Sequence, residues 1–327
     1  MRTSRHHSRG APGPLAVLLG ALVSLGALLT AAPAQADTTI CEAFGTATVQ
    51  GRYVVQNNRW GTGDSQCITV TDSGFSVIRA DGSVPTNGAP KSYPSVYNGC
   101  HYGNCSPGTN LPARLSGIST APTSISYGYV DDGAYDAAYD IWLDPTPRTD
   151  GVSRTEIMVW FHKVGPVQPV GSPVGAVTVA GRPWEVWSGN NGSNDVLSFV
   201  APSAMTGWTF DVMDFVRQAV SRGLAQSGWY LTSVQAGFEP WRNGAGLAVT
   251  SFSSTVDTAP RSRSAAARPS GTGAPAAAPS ASPRASASAG APARPRDGIG
   301  AEAPWAAGAS RGSARQAGGR PNGRWER

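Results

Sequence analysis

RTEIMVWF, residues 154–161, places Glu156, Met158 and Trp160 on one side of an extended chain and Ile157, Val159 and Phe161 on the other, because successive side chains of a strand point to opposite faces. One face is wholly apolar and demands burial; the other sets a carboxylate beside a thioether and an indole. Runs of similar character recur from about residue 40 to 256: ATVQGRYVV (47–55), GFSVIRA (74–80), SISYGYV (124–130), AAYDIWL (137–143) and VLSFVAP (196–202). Gly, Pro, Asn and Asp break them apart. Many short strands at this spacing predict an all-β antiparallel sandwich or barrel. One stretch departs from the pattern. In DVMDFVRQAVSRG (211–223), Val212, Phe215, Val216, Ala219 and Val220 recur at helical spacing, with Asp211 as cap and Gly223 as stop. A sandwich of two sheets with one helix packed outside is the natural reading, and no internal repeat is present.

Composition agrees. Of 327 residues 40% are hydrophobic and only 14% charged, with 40 Gly, a balance that suits strands and turns. The formal charge of +5 is misleading, because the basic residues sit at the ends. Residues 1–36 carry three Arg and no acid, and residues 258–327 carry eleven Arg against three acids. Residues 37–257 therefore hold 12 basic and 18 acidic groups, net −6. That stretch lacks the clustered Lys and Arg of a phosphate-binding surface, which argues against nucleic acid as a partner.

At the N-terminus Arg2, Arg5 and Arg9 precede an apolar run from Leu15 to Leu29 that ends in Ala34-Gln35-Ala36. This is the layout of an export signal with a small-residue cleavage site. The run is short of the roughly 20 residues that span a bilayer, so residues 1–36 read as a secretion signal peptide, and a secreted, extracellular chain starting at Asp37 is expected, with no membrane association. The four cysteines, Cys41, Cys67, Cys100 and Cys105, lie in the mature stretch, and an even number in a secreted protein reads as disulfides. Three pairings are open. Cys100 and Cys105 enclose only HYGN, which favours a tight local loop and leaves Cys41 with Cys67. A metal site is not expected, since the mature stretch offers only His101 and His162 and no paired C-x-x-C. From Thr258 onward the composition collapses to Ala, Pro, Ser, Gly and Arg, with Ile299, Trp305 and Trp325 the only large apolar groups. Such a segment cannot bury enough surface to offset its ordering entropy, and residues 258–327 read as a disordered linker or tail. The folded unit is then 37–257.

Chemistry has few places to reside. Only four of the 18 acids in 37–257 are Glu: Glu42, Glu156, Glu185 and Glu239. Glu156 lies beside Met158 and Trp160, poor choices for a solvent face. In SVQAGFEPW (233–241) Glu239 shares a face with Gln235 and Gly237, and the glycine leaves room for a ligand. Asp140 shares a face with Ala138 and Trp142, and would stand beside Glu156 if the two strands are neighbours. Glu185, between Trp184 and Val186, also qualifies by pattern. Paired carboxylates among aromatic side chains suit glycoside hydrolysis, in which one carboxyl protonates the leaving oxygen and the other attacks carbon or activates water. Eight Trp and all nine Tyr fall within 37–257, enough to stack sugar rings along a groove even after core packing claims most of them. Other chemistries lack their residues. Neither histidine sits near a G-x-S-x-G elbow, no P-loop or dinucleotide fingerprint occurs, and GNNGSN (189–194) reads as a hairpin turn. No cofactor is expected.

Four motifs now carry a resemblance. CEAFGTATVQGRYVVQNNRWG (41–61), YPSVYNGCHYGNCS (93–106), YDIWLDPTPRTDGVSRTEIMVWF (139–161) and QAGFEPW (235–241) resemble glycoside hydrolase family 12, the small secreted endoglucanases, in particular those of streptomycetes. The likeness runs from Asp37 to Val256. It implies a β-jelly roll of two curved antiparallel sheets with one helix and an open cleft on the concave face. It also implies retaining hydrolysis of internal β-1,4-glucosidic bonds by a monomer acting on a β-glucan polysaccharide, without metal or cofactor. Position by position, the resemblance makes Glu156 the nucleophile, Glu239 the general acid/base and Asp140 the carboxylate that assists the nucleophile. Asn58 and Trp60 resemble the non-reducing-side sugar platform, with His101 close to the same subsites and Met158 and Trp160 on the floor beside the nucleophile. Glu42 and Glu185 receive no catalytic part, and the pairs Cys41–Cys67 and Cys100–Cys105 are supported. A xyloglucan- or xylan-active hydrolase, or a binding protein without catalysis, is the rival reading. Relatives of this length often end in a cellulose-binding module, and the Arg-rich end of this chain departs from that pattern.

Overall fold

Ile157, Val159 and Phe161 are completely buried, and their strand, Thr155–Val164, lies near the middle of a large sheet. The structure is a computed structural model and describes residues 37–258; the expected signal segment and the Ala/Pro/Ser/Arg-rich stretch after Thr258 lie outside the described residues. The larger sheet runs, in spatial order, Ser172–Val179, Arg182–Asn190, Asp195–Val200, Thr155–Val164, Ala134–Asp144, Tyr230–Arg242, Ser95–His101, Tyr53–Gln56 and Thr46–Val49. The smaller sheet runs Thr38–Ile40, Gln66–Val70, Phe75–Ala80, Ala248–Ser254, Pro122–Gly128 and Gly207–Asp211. The two curve over one another as the jelly roll expected from the sequence.

One neighbour pair is not antiparallel. Thr155–Val164 and Asp195–Val200 run parallel. Between them the chain forms the Ser172–Asn190 hairpin at the sheet edge, and Asp195–Val200 then slots in between, antiparallel to the hairpin's second arm and parallel to Thr155–Val164. The run 47–55 also differs from a single strand. It is a hairpin, Thr46–Val49 paired with Tyr53–Gln56, whose turn holds Gln50 and Gly51 at φ 53° and 63°.

The core lies between the sheets, where alternate residues of each central strand meet. Tyr135, Ala137, Tyr139 and Ile141 face inward, as do Val234, Ala236 and Phe238. Aromatic rings meet there edge-on, Phe238 against Tyr127 at 5.3 Å and Tyr139 against Phe210 at 5.1 Å, the arrangement favoured by the ring quadrupole. The helix spans Val212–Ser221. Asp211 Oδ1 accepts from the Met213 amide and from the Ala121 amide, both at 2.9 Å, so the cap also ties the helix to the chain leading into Pro122–Gly128. Gly223, at φ 76°, ends it in the left-handed conformation that other residues resist. Its apolar face buries Phe215 against Trp184, Phe199 and Phe210. The cysteines pair as Cys41–Cys67 and Cys100–Cys105. At the end of the described chain, Asp257–Thr258 pairs with Ile118–Thr120 in a separate two-stranded sheet. Among the described residues no helix is long and apolar enough to cross a membrane.

Candidate active site

The faces turned away from the core build the site. Ala134–Asp144 forms its centre, presenting Asp136, Ala138, Asp140 and Trp142 in period two. Tyr230–Arg242 flanks one side and Thr155–Val164 the other. The register sets Trp142 opposite Glu156, Asp136 opposite Glu239, and Asp140 opposite both Met158 and Gln235. Asp140 is thus diagonal to Glu156 on adjacent strands, within the reach of long side chains. A cavity of about 160 Å³ opens over this face, and Asp140, Glu156 and Glu239 all line it.

Four carboxyls are buried on this one surface: Asp136 at 0% exposure, Asp140 and Glu156 at 3%, and Glu239 at 5%. Burial removes the water that stabilises a carboxylate, and like charges raise its cost further. Glu156 is pushed up to about 7 by burial, against an opposing hydrogen bond from Asn194. Asn194 Nδ2 donates to Glu156 Oε2 at 3.0 Å. Glu239 is raised well above the ordinary carboxylate range by burial first, and then by Asp136 and Glu156. Asp140 is raised likewise by burial and by Glu156 and Glu239, with the Tyr93 hydroxyl opposing. Four such groups cannot all be ionised at neutral pH. Glu239 holds its proton into the range where Glu156 gives its up, so one carboxyl can stay protonated while the other is ionised.

The segment that carries Asn58 and Trp60 is held by the backbone of a buried cation. Lys91, 1% exposed, donates from Nζ to the carbonyls of Ala80, Asp81 and Gly82 at 2.8, 3.0 and 3.0 Å. Its own carbonyl accepts from the amides of Trp60 and Gly61 at 3.3 and 2.8 Å. Gly61 has no alternative, since a Cβ would sit 2.4 Å from the Pro90 carbonyl oxygen. Asn58 and Trp60 line the cavity. So does His101, presented by the loop that the Cys100–Cys105 bridge closes. Gln235 Nε2 donates to His101 Nδ1 at 3.1 Å, and burial pushes the imidazole down to about 4. The ring is neutral at working pH, with its proton on Nε2 as a donor.

Several expectations need correction. Met158 and Trp160 share the face of Glu156 but do not line the cavity; they are buried in a satellite cluster with Val167, Val196 and Trp241. Gly237 does not make room for a ligand. A Cβ there would lie 2.1 Å from the Pro94 carbonyl oxygen, so the glycine serves the close approach of that backbone. Glu185 is exposed at a distance from the cavity lining. Two residues escaped the sequence. GNNGSN is the hairpin turn expected, yet its last residue, Asn194, is fully buried against Glu156. Asp136 is the first acid of YDAAYD (135–140), on the face of Asp140, and only the cross-strand register sets it opposite Glu239.

Comparisons with known proteins identify the family. A family model described as glycosyl hydrolase family 12 matches residues 51–257. The probable cellulase Cel12b of Mycobacterium tuberculosis is 50% identical over 150 residues, 46% of this chain and 99% of that protein. The xyloglucan-specific endo-β-1,4-glucanase A of Emericella nidulans is 32% identical over 243 residues, 72% of this chain and 98% of that one. Among solved structures, an endo-1,4-β-glucanase, the cellulase CelB2, superposes with a TM-score of 0.67 and 75% identity over 68% of this chain and 100% of that one. With the family model covering both carboxyl-bearing strands and their neighbours, this chain belongs to glycosyl hydrolase family 12.

Proposed function

We propose that the protein is a secreted endo-β-1,4-glucanase that cleaves internal bonds of cellulose or a related β-glucan with retention of configuration. Glu156 attacks the anomeric carbon while Glu239 protonates the departing oxygen; Glu239 then deprotonates the water that hydrolyses the glycosyl-enzyme. Asp140, diagonal to Glu156, assists the nucleophile. The observation that carries this reading is the pair of buried carboxyls reaching one cavity from the two strands that flank Ala134–Asp144, the acid holding its proton more tightly than the nucleophile. Asn58, Trp60 and His101 supply the sugar contacts on one side of the scissile bond. The N-terminal Arg-then-apolar segment and the two disulfides support export.

Among the relatives, one is named a cellulase and another a xyloglucan-specific glucanase, and an unbranched glucan is the substrate favoured here. The test is a reducing-sugar assay of the purified protein on carboxymethylcellulose, barley β-glucan, xyloglucan and xylan, with proton NMR of the first product. Activity on the first two with β-anomer released first is expected. Absence of activity on all four defeats the enzymatic reading, and initial α-anomer defeats retention.

A further inference from the structure

Asp136 has no part in the two-carboxyl mechanism, yet it is the most deeply buried acid of the site, at 0% exposure. It stands directly opposite Glu239 across the Ala134–Asp144 and Tyr230–Arg242 strands, on the same face. Neither of its carboxyl oxygens has a well-formed hydrogen bond to a protein donor among the described residues. Burial strongly disfavours a carboxylate without donors, so its charge needs another remedy. The groups that face it are the Glu239 carboxyl and the Glu239 backbone amide, with Asp140 and Glu156 farther off on the same surface. On its other flank the register partner is Lys163, but that side chain is exposed and its Nζ donates to the Val167 carbonyl at 3.3 Å. Among the described residues no cation neutralises Asp136. Apart from the Glu239 backbone amide, which favours the charge on Asp136, two facing carboxyls form a hydrogen bond with one another only when one of them carries a proton.

We propose that Asp136 is a positioning residue that shares a single proton with Glu239 across the strand pair and so sets when the general acid holds or releases it. This rests on Glu239 being the acid/base. In the free enzyme the pair carries one proton and one negative charge. When Glu239 gives its proton to the leaving glycosidic oxygen, the bond from the anomeric carbon to that oxygen breaks as the bond to Glu156 forms. The pair is left with two charges in a buried place. That repulsion makes Glu239 a stronger base for the second step, in which it takes a proton from the attacking water, the water oxygen bonds to the anomeric carbon, and Glu156 departs. The pair is then back to one proton. Asp136 touches no reacting atom; it acts through Glu239.

Carbon-13 NMR of protein labelled at Asp and Glu carboxyls reads the pair directly. In the wild type, Asp136 Cγ and Glu239 Cδ should each titrate in two steps with the same two midpoints, the behaviour of strongly interacting sites. In Asp136→Asn, Glu239 should titrate in one step, at least one pH unit below the upper midpoint of the pair, with kcat reduced and KM within about twofold. In Glu239→Gln, Asp136 should likewise titrate in one step, which keeps the test available if Asp136→Asn does not fold. A carboxyl whose single midpoint stays unchanged when its partner is replaced overturns the proposal. The reading of Glu239 as acid/base is judged separately, by whether Glu239→Gln still hydrolyses barley β-glucan.

Discussion

Asn194 donates its side-chain amide to Glu156 Oε2 at 3.0 Å, from a hairpin turn to a strand 38 residues away in sequence. The bond favours ionised Glu156 and opposes the upward push of burial. Removing it leaves Glu156 buried with less to stabilise its charge, and hydrogen bonds to charged groups contribute about 1.5–3 kcal/mol. Asn194→Ala should therefore raise Glu156 above about 7. The acid limb of the kcat/KM profile should move to higher pH by about one unit, a roughly tenfold loss below the limb. Above the limb the rate should change little. An acid limb that stays in place would show that the bond orients Asn194 and nothing more.

The same residue marks where the sequence stops being legible. Period-two alternation found the faces of Thr155–Val164, Ala134–Asp144 and Tyr230–Arg242, because each strand buries one side in the core, and an acid among Met, Trp and Gly stood out on the other. The helix was legible from its spacing and both ends, since Asp211 and Gly223 act locally. Asn194 was not, because a turn asparagine has local work in the hairpin and nothing local reveals a second partner on the parallel neighbour strand. Asp136 needed the cross-strand register, which alternation does not supply. Met158 and Trp160 were placed on the correct face but in the cavity floor, whereas Val167, Val196 and Trp241 cover them; alternation assigns a face and says nothing of what covers it.

Buried acids should make the free enzyme less stable as pH rises. Glu156 has a folded value of about 7 against an ordinary 4.5, so the folded state binds more protons than the unfolded one between these values. Stability is present below the unfolded value and is lost as pH rises through the folded one. Glu239 extends the loss to higher pH, its value being raised further. His101, at about 4 folded against 6.5, and His162, also lowered by burial, work in the opposite sense as the unfolded imidazoles lose their protons, but above about pH 7.5 both are essentially neutral in either state. From about pH 7.5 to 9 the carboxyls act alone, and Tm should fall. Glu156→Gln should abolish most turnover, keep the fold, and flatten that slope. Scanning calorimetry of both proteins across the range checks this, and a wild-type Tm that rises with pH would contradict it.

The two disulfides should separate stability from activity. Cys41–Cys67 spans 26 residues and Cys100–Cys105 only 5. In the chain-entropy model the longer loop contributes on the order of 3 kcal/mol and the shorter one about 2. The short loop, however, carries His101 and Tyr102 into the cavity lining. Replacing Cys41 and Cys67 by Ser should lower Tm by about 6–12 °C, at 2–4 °C per kcal/mol for a domain of this size, with kcat/KM at 25 °C nearly unchanged. Replacing Cys100 and Cys105 should lower Tm less and kcat/KM more. Equal effects of the two replacements on both quantities would remove the distinction.

Truncation tests where the folded unit ends. Asp257–Thr258 is the last strand described, paired with Ile118–Thr120. Ser119 Oγ donates to the Asp257 carbonyl and Thr120 Oγ1 to Asp257 Oδ2, both at 2.9 Å. These bonds are exposed and each contributes about 1 kcal/mol at most, but just upstream Val256 is buried in the core and its carbonyl accepts from Asn110 Nδ2. No residue of this strand lines the cavity. A chain ending at Thr258 should hydrolyse barley β-glucan at the full-length rate with the same Tm. One ending at Thr255 loses Val256 from the core and should melt several degrees lower, since a buried Val contributes about 1.5–3 kcal/mol. A large fall in kcat for the chain ending at Thr258 would mean that residues after it take part in glucan binding, because the catalytic strands would be untouched.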